Sequence, residues 1–309
     1  MPSITHEIKA GGPFPPEKGR YYLYIGWFCP FATRTTIARS LKGLQDVLPI
    51  VVVNSVMDPK RKSWTFSPKP LEDRPEVGIP GTVPEPLHGA PDLRALYEKS
   101  EGSIDGPYVV PMLWDSKTSK VVNNESISIM RQLSTAFNEF LGPEKASLNL
   151  HPSELFKLID ENYESSQRDV YSGVYKAGFA TDQKAYEAAL SPLFDGLERL
   201  EELKKRHQGP YLLGQSLTEL DITTYTCLIR FDVAYATLFK CGLKTIRDGF
   251  PELHQWLRTL YWTHDAFRDS TDFDNIKSNY FSGSSKAEQI NPTRVVPKGP
   301  VPSILPLHL

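Results

Sequence analysis

The order of strand and helix patterns in residues 21–53 is the feature that most constrains the fold. The aromatic, β-prone run YYLYIGWF predicts a strand over residues 21–28. FATRTTIARSLKGL follows with helix-forming residues up to Gly43, a residue type common at helix C-termini. The continuous β-branched run in LPIVVVNSV predicts a strand buried on both faces, as in a parallel sheet. The fold therefore opens with a β-α-β unit.

A second group of elements follows a long insertion. Residues 58–106 are rich in proline and glycine, apart from the short helical stretch APDLRALYEKS. A loop of this length inside a domain usually carries function or packs as an excursion, and the sequence leaves open whether this one closes as a lid. YVVPMLWD and VVN then predict two strands, and ESISIMRQLSTAFNEFL predicts an amphipathic helix. The sequence β-α-β, insertion, β-β-α is the thioredoxin-like order.

The second half of the chain has helical periodicity throughout, and TELD at residues 218–221 has the form of a capping box. Because 309 residues exceed what one core usually needs, we expect two domains. The predicted organisation is an extended N-terminal arm at 1–20, an α/β thioredoxin-like domain at 21–140, an all-α domain at 150–272 and an extended C-terminal tail at 273–309.

Composition excludes several classes of protein. A net charge of −2 builds no strong field, so neither nucleic acid nor a membrane surface is expected as a partner. No apolar run is long enough to span a bilayer and no signal-peptide pattern is present, which favours a cytoplasmic protein. Three widely spaced cysteines and scattered histidines predict neither a disulfide framework nor a metal site.

Cys29 lies between the first predicted strand and the helix that follows it. A sulfur at a helix start faces backbone N–H groups and the positive end of the helix dipole, which favour the thiolate and lower its pKa below about 8.5. Pro30 suits the first helical position, and Arg34 adds positive potential one turn later. The alternative is a small apolar core residue, the interpretation we prefer for Cys227 and Cys241. Since no second cysteine follows closely, a reactive Cys29 needs an external thiol, for which glutathione is the obvious candidate.

Two further segments carry candidate binding residues. Pro111 inside a predicted strand indicates an edge strand or a cis peptide, and a cis peptide would turn the Val110 backbone towards a peptide-like ligand at the thiol. Glu125 and Ser126 begin the helix after the last strand, where Ser126 could hold the γ-glutamyl carboxylate of glutathione and Glu125 its amino group. An ordinary N-cap explains the second pair equally well.

Aromatic residues provide a third set of candidates. Trp64, inside the insertion, is either a core anchor or a cover over the thiol pocket. Phenols that face an active site could bind the hydroxyls of an aromatic substrate, although most tyrosines are core residues with a hydrogen-bonded tip. The candidates are Tyr171, Tyr175, Tyr225, Tyr235 and Tyr280.

These elements together resemble the glutathione transferase superfamily, and more narrowly its Xi class, the glutathionyl-hydroquinone reductases. The resemblance covers nearly the whole chain and depends most on VPMLWDSKTSKVVNNES and GVYKAGFATDQKAYE, with CPFATRT, SWTF and INPTRVVPKGP in support. The Cys-Pro pattern itself is shared with omega-class proteins.

The resemblance implies a homodimer with a thioredoxin-like and a helical domain. It implies glutathione as co-substrate and an aromatic small molecule as substrate. Cys29 would attack the sulfur of a glutathionyl-hydroquinone, and a second glutathione would resolve the mixed disulfide. By position, the glutathione contacts would be Trp64, Val110, Pro111, Glu125 and Ser126, and the aromatic-substrate contacts would be Tyr175, Tyr235 and Tyr280.

Three departures from the family pattern leave the function open. Phe31 and Thr33 replace the tryptophan and histidine of Cys-Pro-Trp-Ala-His-Arg, and Pro107 stands where an arginine is common. The favoured function is reductive removal of glutathione from an aromatic thioether. The alternatives are a transferase that adds glutathione to an electrophile, or an isomerase that uses it transiently, and a non-catalytic binding protein of the same fold.

Overall fold

The computed structural model of the chain describes residues 3–66, 82–103, 106–283 and 285–307. The chain divides into two compact units. The first comprises Met1–Asn149 with Ser270–Ala287, and the second comprises Leu150–Asp269 with Glu288–Leu309. Part of the predicted insertion, residues 67–81 and 104–105, lies outside the described residues.

The first unit contains a mixed sheet. The strands of this unit are β1 Tyr21–Ile25, β2 Ile50–Val52, β3 Met57–Asp58, β4 Ser63–Trp64, β5 Met112–Asp115 and β6 Lys120–Asn123. The main sheet has the order β2-β1-β5-β6, in which β1 and β2 are parallel and the other pairs are antiparallel. A separate antiparallel pair, β3-β4, lies within the insertion. The predicted thioredoxin-like order is confirmed.

Four helices accompany these strands: α1 Pro30–Leu41, α2 Leu93–Glu101, α3 Ser126–Thr135 and α4 Pro143–Ser147. Helix α1 packs against α3. The core is apolar and aromatic, with Tyr24, Leu113 and Trp114 fully buried. Since both strand faces are covered, the residues of β5 are all buried.

Strand β1 ends earlier than predicted because the chain turns at Gly26. The Cys29 N–H donates to Gly26 O at 2.9 Å, which closes the turn before α1. A Cβ atom on Gly26 would lie 2.4 Å from the ring of Phe28, so glycine is what allows that ring to fold back over the turn.

The N-terminal arm runs along the outer edge of β6. The His6 N–H donates to Val122 O at 2.9 Å, and the Asn124 N–H donates to Ile4 O at 2.9 Å. Pairing of this kind covers an edge strand that would otherwise expose its backbone groups.

The second unit is helical. Its helices are α5 Phe156–Ser166, α6 Gly173–Gly178, α7 Gln183–Arg206, α8 Glu219–Leu228, α9 Ala236–Leu238, α10 Ile246–Gly249, α11 Pro251–Thr263 and α12 Asp265–Arg268. π-Helical turns at Gln167–Tyr171 and Phe231–Tyr235 lie between α5 and α6 and between α8 and α9. The predicted capping box is confirmed: Thr218 is the N-cap of α8, and the buried Asp221 carboxylate accepts from its N–H at 3.0 Å.

The prediction of an extended tail from residue 273 is wrong for its first part. Two helices occur there, α13 Phe273–Ser282 and α14 Ser285–Ile290. The first proline of the tail comes only at 292, and Asp272 caps α13 by accepting from Asn275 N–H at 2.8 Å. Helix α13 lies in the first unit, where Asn279 Nδ2 donates to Ser55 O at 2.7 Å. From Asn291 onward the described residues form neither helix nor strand.

Among the helices of the described residues, none combines the length and apolar character needed to cross a membrane.

Candidate functional site

Cys29 lies where the sequence predicts it, at the start of a helix. It is the N-cap of α1, with extended backbone angles of φ −80° and ψ 119°, and Pro30 occupies the first helical position. Thr33 holds the turn, because its N–H and its Oγ1 donate to Cys29 O at 3.0 Å and 2.9 Å. The cysteine side chain is half-buried, and its Sγ lies 3.4 Å from Val110 O.

A cavity of about 330 Å³ opens beside this sulfur. The volume falls at the lower end of the range of about 300–1,000 Å³ that is usual for small-molecule sites. Six predicted site residues lie together on the wall of this cavity, with four further residues that were not predicted for the site. The lining residues are Phe28, Cys29, Phe31, Trp64, Val109, Val110, Pro111, Asn124, Glu125 and Ser126.

The loop before β5 forms one side of the cavity. The Val110–Pro111 peptide is cis, as the sequence predicts. Tyr97 in α2 donates its hydroxyl to Val109 O at 3.0 Å and so fixes the loop from behind. The Val110 backbone is therefore held beside the sulfur of Cys29.

Helix α3 begins on the same wall. Glu125 is its N-cap, and the carboxylate accepts from Ile127 N–H at 3.1 Å and Ser128 N–H at 2.7 Å. The ordinary N-cap considered from the sequence is therefore present, and it takes up two of the donors at this helix end. Ser126 is the first residue of α3, so its N–H and hydroxyl are the polar groups that the helix start adds to the cavity wall.

Arg34 joins α1 to α3. Its side chain is 2% exposed, and its Nη1 donates to Ser126 Oγ at 3.3 Å. Its guanidinium also lies over the ring of Phe31, 4.8 Å from the ring centroid. The sequence predicts positive potential from Arg34 near the thiol, but the contact with Ser126 spans 92 positions of the chain and has no local pattern.

Aromatic side chains form the apolar wall. Trp64 in β4 lies 4.5 Å, between ring centroids, from Phe28. Phe28 belongs to the apolar, aromatic run that the sequence predicts as a strand, and neither Phe28 nor Phe31 was predicted as a site residue. That apolar run around a cysteine is the sequence feature from which both could have been predicted.

The predicted tyrosines separate into three groups. In the second unit, the hydroxyls of Tyr175 and Tyr235 lie 3.4 Å apart, and the Tyr235 ring stacks on Phe239 at 5.4 Å. Tyr171, Tyr225 and Tyr235 are all buried, at 3%, 0% and 1% exposure, and Tyr280, at 8% exposure, lies in α13 of the first unit.

The aromatic group around Tyr175 is larger than the sequence indicates. Phe179 and Phe239 belong to it, with ring centroids 5.2 Å apart. Gly178 permits this packing, since a Cβ atom there would lie 2.3 Å from the Phe239 ring. The group therefore combines two phenolic hydroxyls with an aromatic surface.

Cys227 and Cys241 are core residues, as expected. They are 3% and 0% exposed, and burial raises the pKa of the Cys241 thiol to about 12.

The structure also brings together one group of potential metal ligands in the described residues. His151 Nε2 lies 3.5 Å from Asp160 Oδ1 and 3.7 Å from Glu219 Oε1. The expectation of no metal site stays a prediction.

Comparison with known families matches both halves of the chain. Residues 28–136 match the model described as glutathione S-transferase, N-terminal domain, and residues 183–259 match the C-terminal domain of the same family. The chain belongs to the glutathione S-transferase family, and the resemblance identified from its sequence is confirmed.

Three relatives show how close this similarity is. The chain is 45% identical to the Xi glutathione transferase of Phanerochaete chrysosporium, with a TM-score of 0.91 and coverage of 99% of this chain and 93% of the other. It is 35% identical to the Xi glutathione transferase ECM4 of Saccharomyces cerevisiae, solved in complex with glutathione, with a TM-score of 0.92 and coverage of 99% and 100%. It is 38% identical to the glutathionyl-hydroquinone reductase YqjG of Escherichia coli over 94% of this chain and 82% of that protein.

Proposed function

We propose that this protein is a glutathione-dependent thiol reductase that removes glutathione from aromatic, hydroquinone-like thioethers. The observation that carries the proposal is the position of Cys29 Sγ, at the start of α1 and on the wall of a cavity shared with Val110 and Ser126. Two relatives support it: one is named a glutathionyl-hydroquinone reductase, and one was solved with glutathione.

Glutathione is the co-substrate in this proposal, and its γ-glutamyl and cysteinyl parts have partners on the cavity wall. The γ-glutamyl carboxylate accepts from the Ser126 hydroxyl and N–H at the positive end of α3. The cysteinyl backbone pairs with the backbone of Val110, which Pro111 follows. Glu125 accepts from the γ-glutamyl amino group in addition to capping α3, and Trp64 covers the ligand.

The chemistry proceeds through a mixed disulfide. The Cys29 thiolate, favoured by the start of α1 and by the buried cation of Arg34, attacks the sulfur of the glutathionyl group. The carbon–sulfur bond breaks, its electron pair goes to the aromatic carbon, and that carbon takes up a proton. A second glutathione thiolate then attacks the Cys29–glutathione disulfide. Overall, an aromatic thioether and one glutathione yield the free hydroquinone and oxidised glutathione.

The aromatic part of the substrate is assigned to the tyrosines. We propose that Tyr175, Tyr235 and Tyr280 contact it, because phenolic hydroxyls can both donate to and accept from the hydroxyls of a hydroquinone. The rings of Tyr175 and its neighbours Phe179 and Phe239 offer the matching aromatic surface.

A transferase that adds glutathione to an electrophile is the second candidate, but the thiol argues against it. A transferase needs the glutathione thiolate to remain available, whereas a nucleophilic cysteine tends to capture it as a disulfide. A binding protein without catalysis would not need a sulfur at a helix start.

The test is turnover of glutathionyl-menadione with glutathione, followed by formation of oxidised glutathione. The wild-type protein and Cys227→Ala should turn over, and Cys29→Ser should lose at least about a thousandfold in kcat. Retained turnover in Cys29→Ser would exclude the mixed disulfide. Absence of turnover in the wild type, with glutathione still bound, would favour a transferase or a binding protein.

We also propose that the protein is cytoplasmic, since the chemistry needs a compartment rich in reduced glutathione. We further propose that it is a homodimer, as the resemblance to Xi-class proteins implies. Light scattering of the purified protein tests the dimer, and a monomer mass would exclude it.

A further inference from the structure

The N-terminal arm contacts the segment that joins β6 to α3, residues 123–125. The Ile4 N–H donates to Asn124 Oδ1 at 2.9 Å, and the Asn124 N–H donates to Ile4 O at 2.9 Å. These two reciprocal bonds hold both the backbone and the side chain of Asn124, which lines the thiol cavity. The arm is therefore connected to the wall of that cavity as well as to the edge of the sheet.

Asn123 is the second connection between the arm and this segment, and it is completely buried. Its Nδ2 donates to His6 O in the arm at 3.3 Å and to Ser128 Oγ at 2.7 Å. Its Oδ1 accepts from the Glu125 N–H at 2.8 Å. One side chain thus bonds the arm, the first turn of α3 and the backbone of the residue that caps this helix.

Gln132, one turn further along α3, also holds the arm. Its Oε1 accepts from the Ile8 N–H at 2.8 Å. Its Nε2 donates to His6 O at 3.1 Å and to Ser128 Oγ at 3.2 Å. The carbonyl of His6 therefore accepts from two buried or half-buried amide side chains, Asn123 and Gln132. Each of these amides uses both its oxygen and its nitrogen, which makes the network specific for one position of the arm.

The segment that the arm holds leads directly into the glutathione contacts proposed above, and the present inference rests on that proposal. Glu125 and Ser126 come immediately after the two asparagines. Asn124, Glu125 and Ser126 all line the thiol cavity. A ligand carboxylate at the start of α3 needs the Ser126 N–H and hydroxyl in a fixed direction. Holding the preceding residues in one conformation before the ligand arrives lowers the ordering cost of binding.

We propose that residues 4–8 of the arm are part of the glutathione site, and that their docking along β6 and α3 holds the start of α3 in its binding conformation. Asn123, Asn124 and Gln132 are the positioning residues that connect the arm to this helix. The alternative is that the arm only stabilises the edge of the sheet.

The two roles of the arm differ in their coupling to the ligand. If docking of the arm favours glutathione binding, then glutathione favours docking of the arm by the same factor, because coupling between two equilibria is reciprocal. Disrupting an arm that only stabilises the sheet would lower the free energy of unfolding and leave the affinity of the folded protein for the ligand unchanged.

Calorimetric titration with S-methylglutathione, an unreactive ligand, tests the coupling in the whole chain. Ile4→Pro removes the N–H that Asn124 accepts, and Gln132→Ala removes the bonds to Ile8 and His6. Each should weaken binding about three- to tenfold. In turnover of glutathionyl-menadione, the KM for glutathione should rise by a similar factor while kcat changes less than about twofold.

Each variant has a matched control. Glu7→Pro makes the same change at an exposed arm residue whose N–H takes part in none of the hydrogen bonds of the described residues. Thr135→Ala shortens an exposed side chain of α3 whose hydroxyl donates to Arg131 O rather than to the arm. Both controls should bind S-methylglutathione within about twofold of the wild type.

Hydrogen exchange of the arm measures the reciprocal effect in the wild-type protein. Saturating S-methylglutathione should slow exchange of the Ile4, His6 and Ile8 amides by about the factor that the variants lose in affinity, about three- to tenfold. Mass spectrometry of the peptide that covers residues 3–9 measures the rates. Because this measurement needs no variant, it decides the question even where a substitution unfolds the protein.

Unchanged affinity in both variants, or an equal loss in their controls, would overturn the proposal. Exchange of the arm that does not respond to the ligand would overturn it as well. These failures differ from failure of the proposed function. If the wild type binds S-methylglutathione and Cys29 supports turnover, they refute the role of the arm alone. If S-methylglutathione does not bind the wild type at all, both proposals are refuted together.

Discussion

Cys29 and Cys241 carry the same side chain in opposite surroundings. Both sulfurs lie near a backbone carbonyl, at 3.4 Å from Val110 O and 3.6 Å from Phe239 O respectively. Cys29 is half-buried, begins a helix and lines a cavity, whereas Cys241 is completely buried. The carbonyl contact is thus common to both, and the helix start and the cavity are the features on which the proposed reactivity of Cys29 rests.

The largest expected difference between the two cysteines is in alkylation. Burial raises the pKa of Cys241 to about 12, so at pH 8 only about one molecule in ten thousand carries its thiolate. Iodoacetamide should therefore modify Cys29 at least about a thousandfold faster between pH 6 and 9. Peptide mapping by mass spectrometry measures both rates, and comparable labelling of Cys241 in folded protein would contradict the contrast.

Substitution by serine should separate stability from activity. Cys241→Ser buries a hydroxyl in an apolar environment and should lower the free energy of unfolding by about 1–3 kcal/mol. Cys29→Ser, at a half-buried site, should change it by less than about 0.5 kcal/mol. Urea denaturation measures both values.

The same two variants should show the reverse order in turnover. Cys29→Ser should lose activity, whereas Cys241→Ser should have a near-normal rate once that rate is corrected for the folded fraction. A marked loss of stability in Cys29→Ser would mean that this cysteine is also a packing residue.

A smaller effect is expected where α3 meets the thiol cavity. Ser126→Ala removes the hydroxyl that Arg34 contacts and that we assign to the γ-glutamyl carboxylate. The KM for glutathione should rise about five- to tenfold with kcat changed less. Ser134→Ala, in the last turn of the same helix, is the control. An unchanged KM in Ser126→Ala would remove this residue from the glutathione site.

The smallest effect is expected in the second unit. Tyr175→Phe keeps the ring and removes the hydroxyl that lies 3.4 Å from Tyr235 OH. The KM for the aromatic thioether should rise about two- to fivefold, while the affinity for S-methylglutathione stays the same. Tyr186→Phe is a control for loss of a phenol, because the Tyr186 hydroxyl is exposed and donates to Lys240 O. Weaker binding of S-methylglutathione in Tyr175→Phe would contradict its assignment to the aromatic substrate.

Local patterns were sufficient for the parts of the molecule that local chemistry determines. The β-α-β start, the Cys-Pro helix start and the capping box at Thr218 each depend on neighbouring residues, and all three are present. Strand ends were less accurate, because they depend on which hydrogen bonds the folded sheet supplies. β1 stops at Ile25, and the residues after it form the turn that carries Phe28.

The remaining features depend on contacts between distant segments. The bond from Arg34 to Ser126 and the packing of Phe239 over Gly178 join residues with no common sequence pattern. Helix α13 was missed because the proline-rich end of the tail dominated the prediction, although its Asp272 cap is a local feature. For Glu125, the sequence allowed a cap or a ligand contact, and only the structure showed that the cap is present.

The proposed mechanism depends most directly on whether Cys29 forms a disulfide with glutathione. The measurement is intact mass after incubation with oxidised glutathione, followed by peptide mapping and by addition of reduced glutathione. We predict a single glutathione on Cys29, removed by reduced glutathione, with Cys227 and Cys241 unmodified. An unmodified Cys29, or an adduct on either buried cysteine of folded protein, would contradict the proposed mechanism.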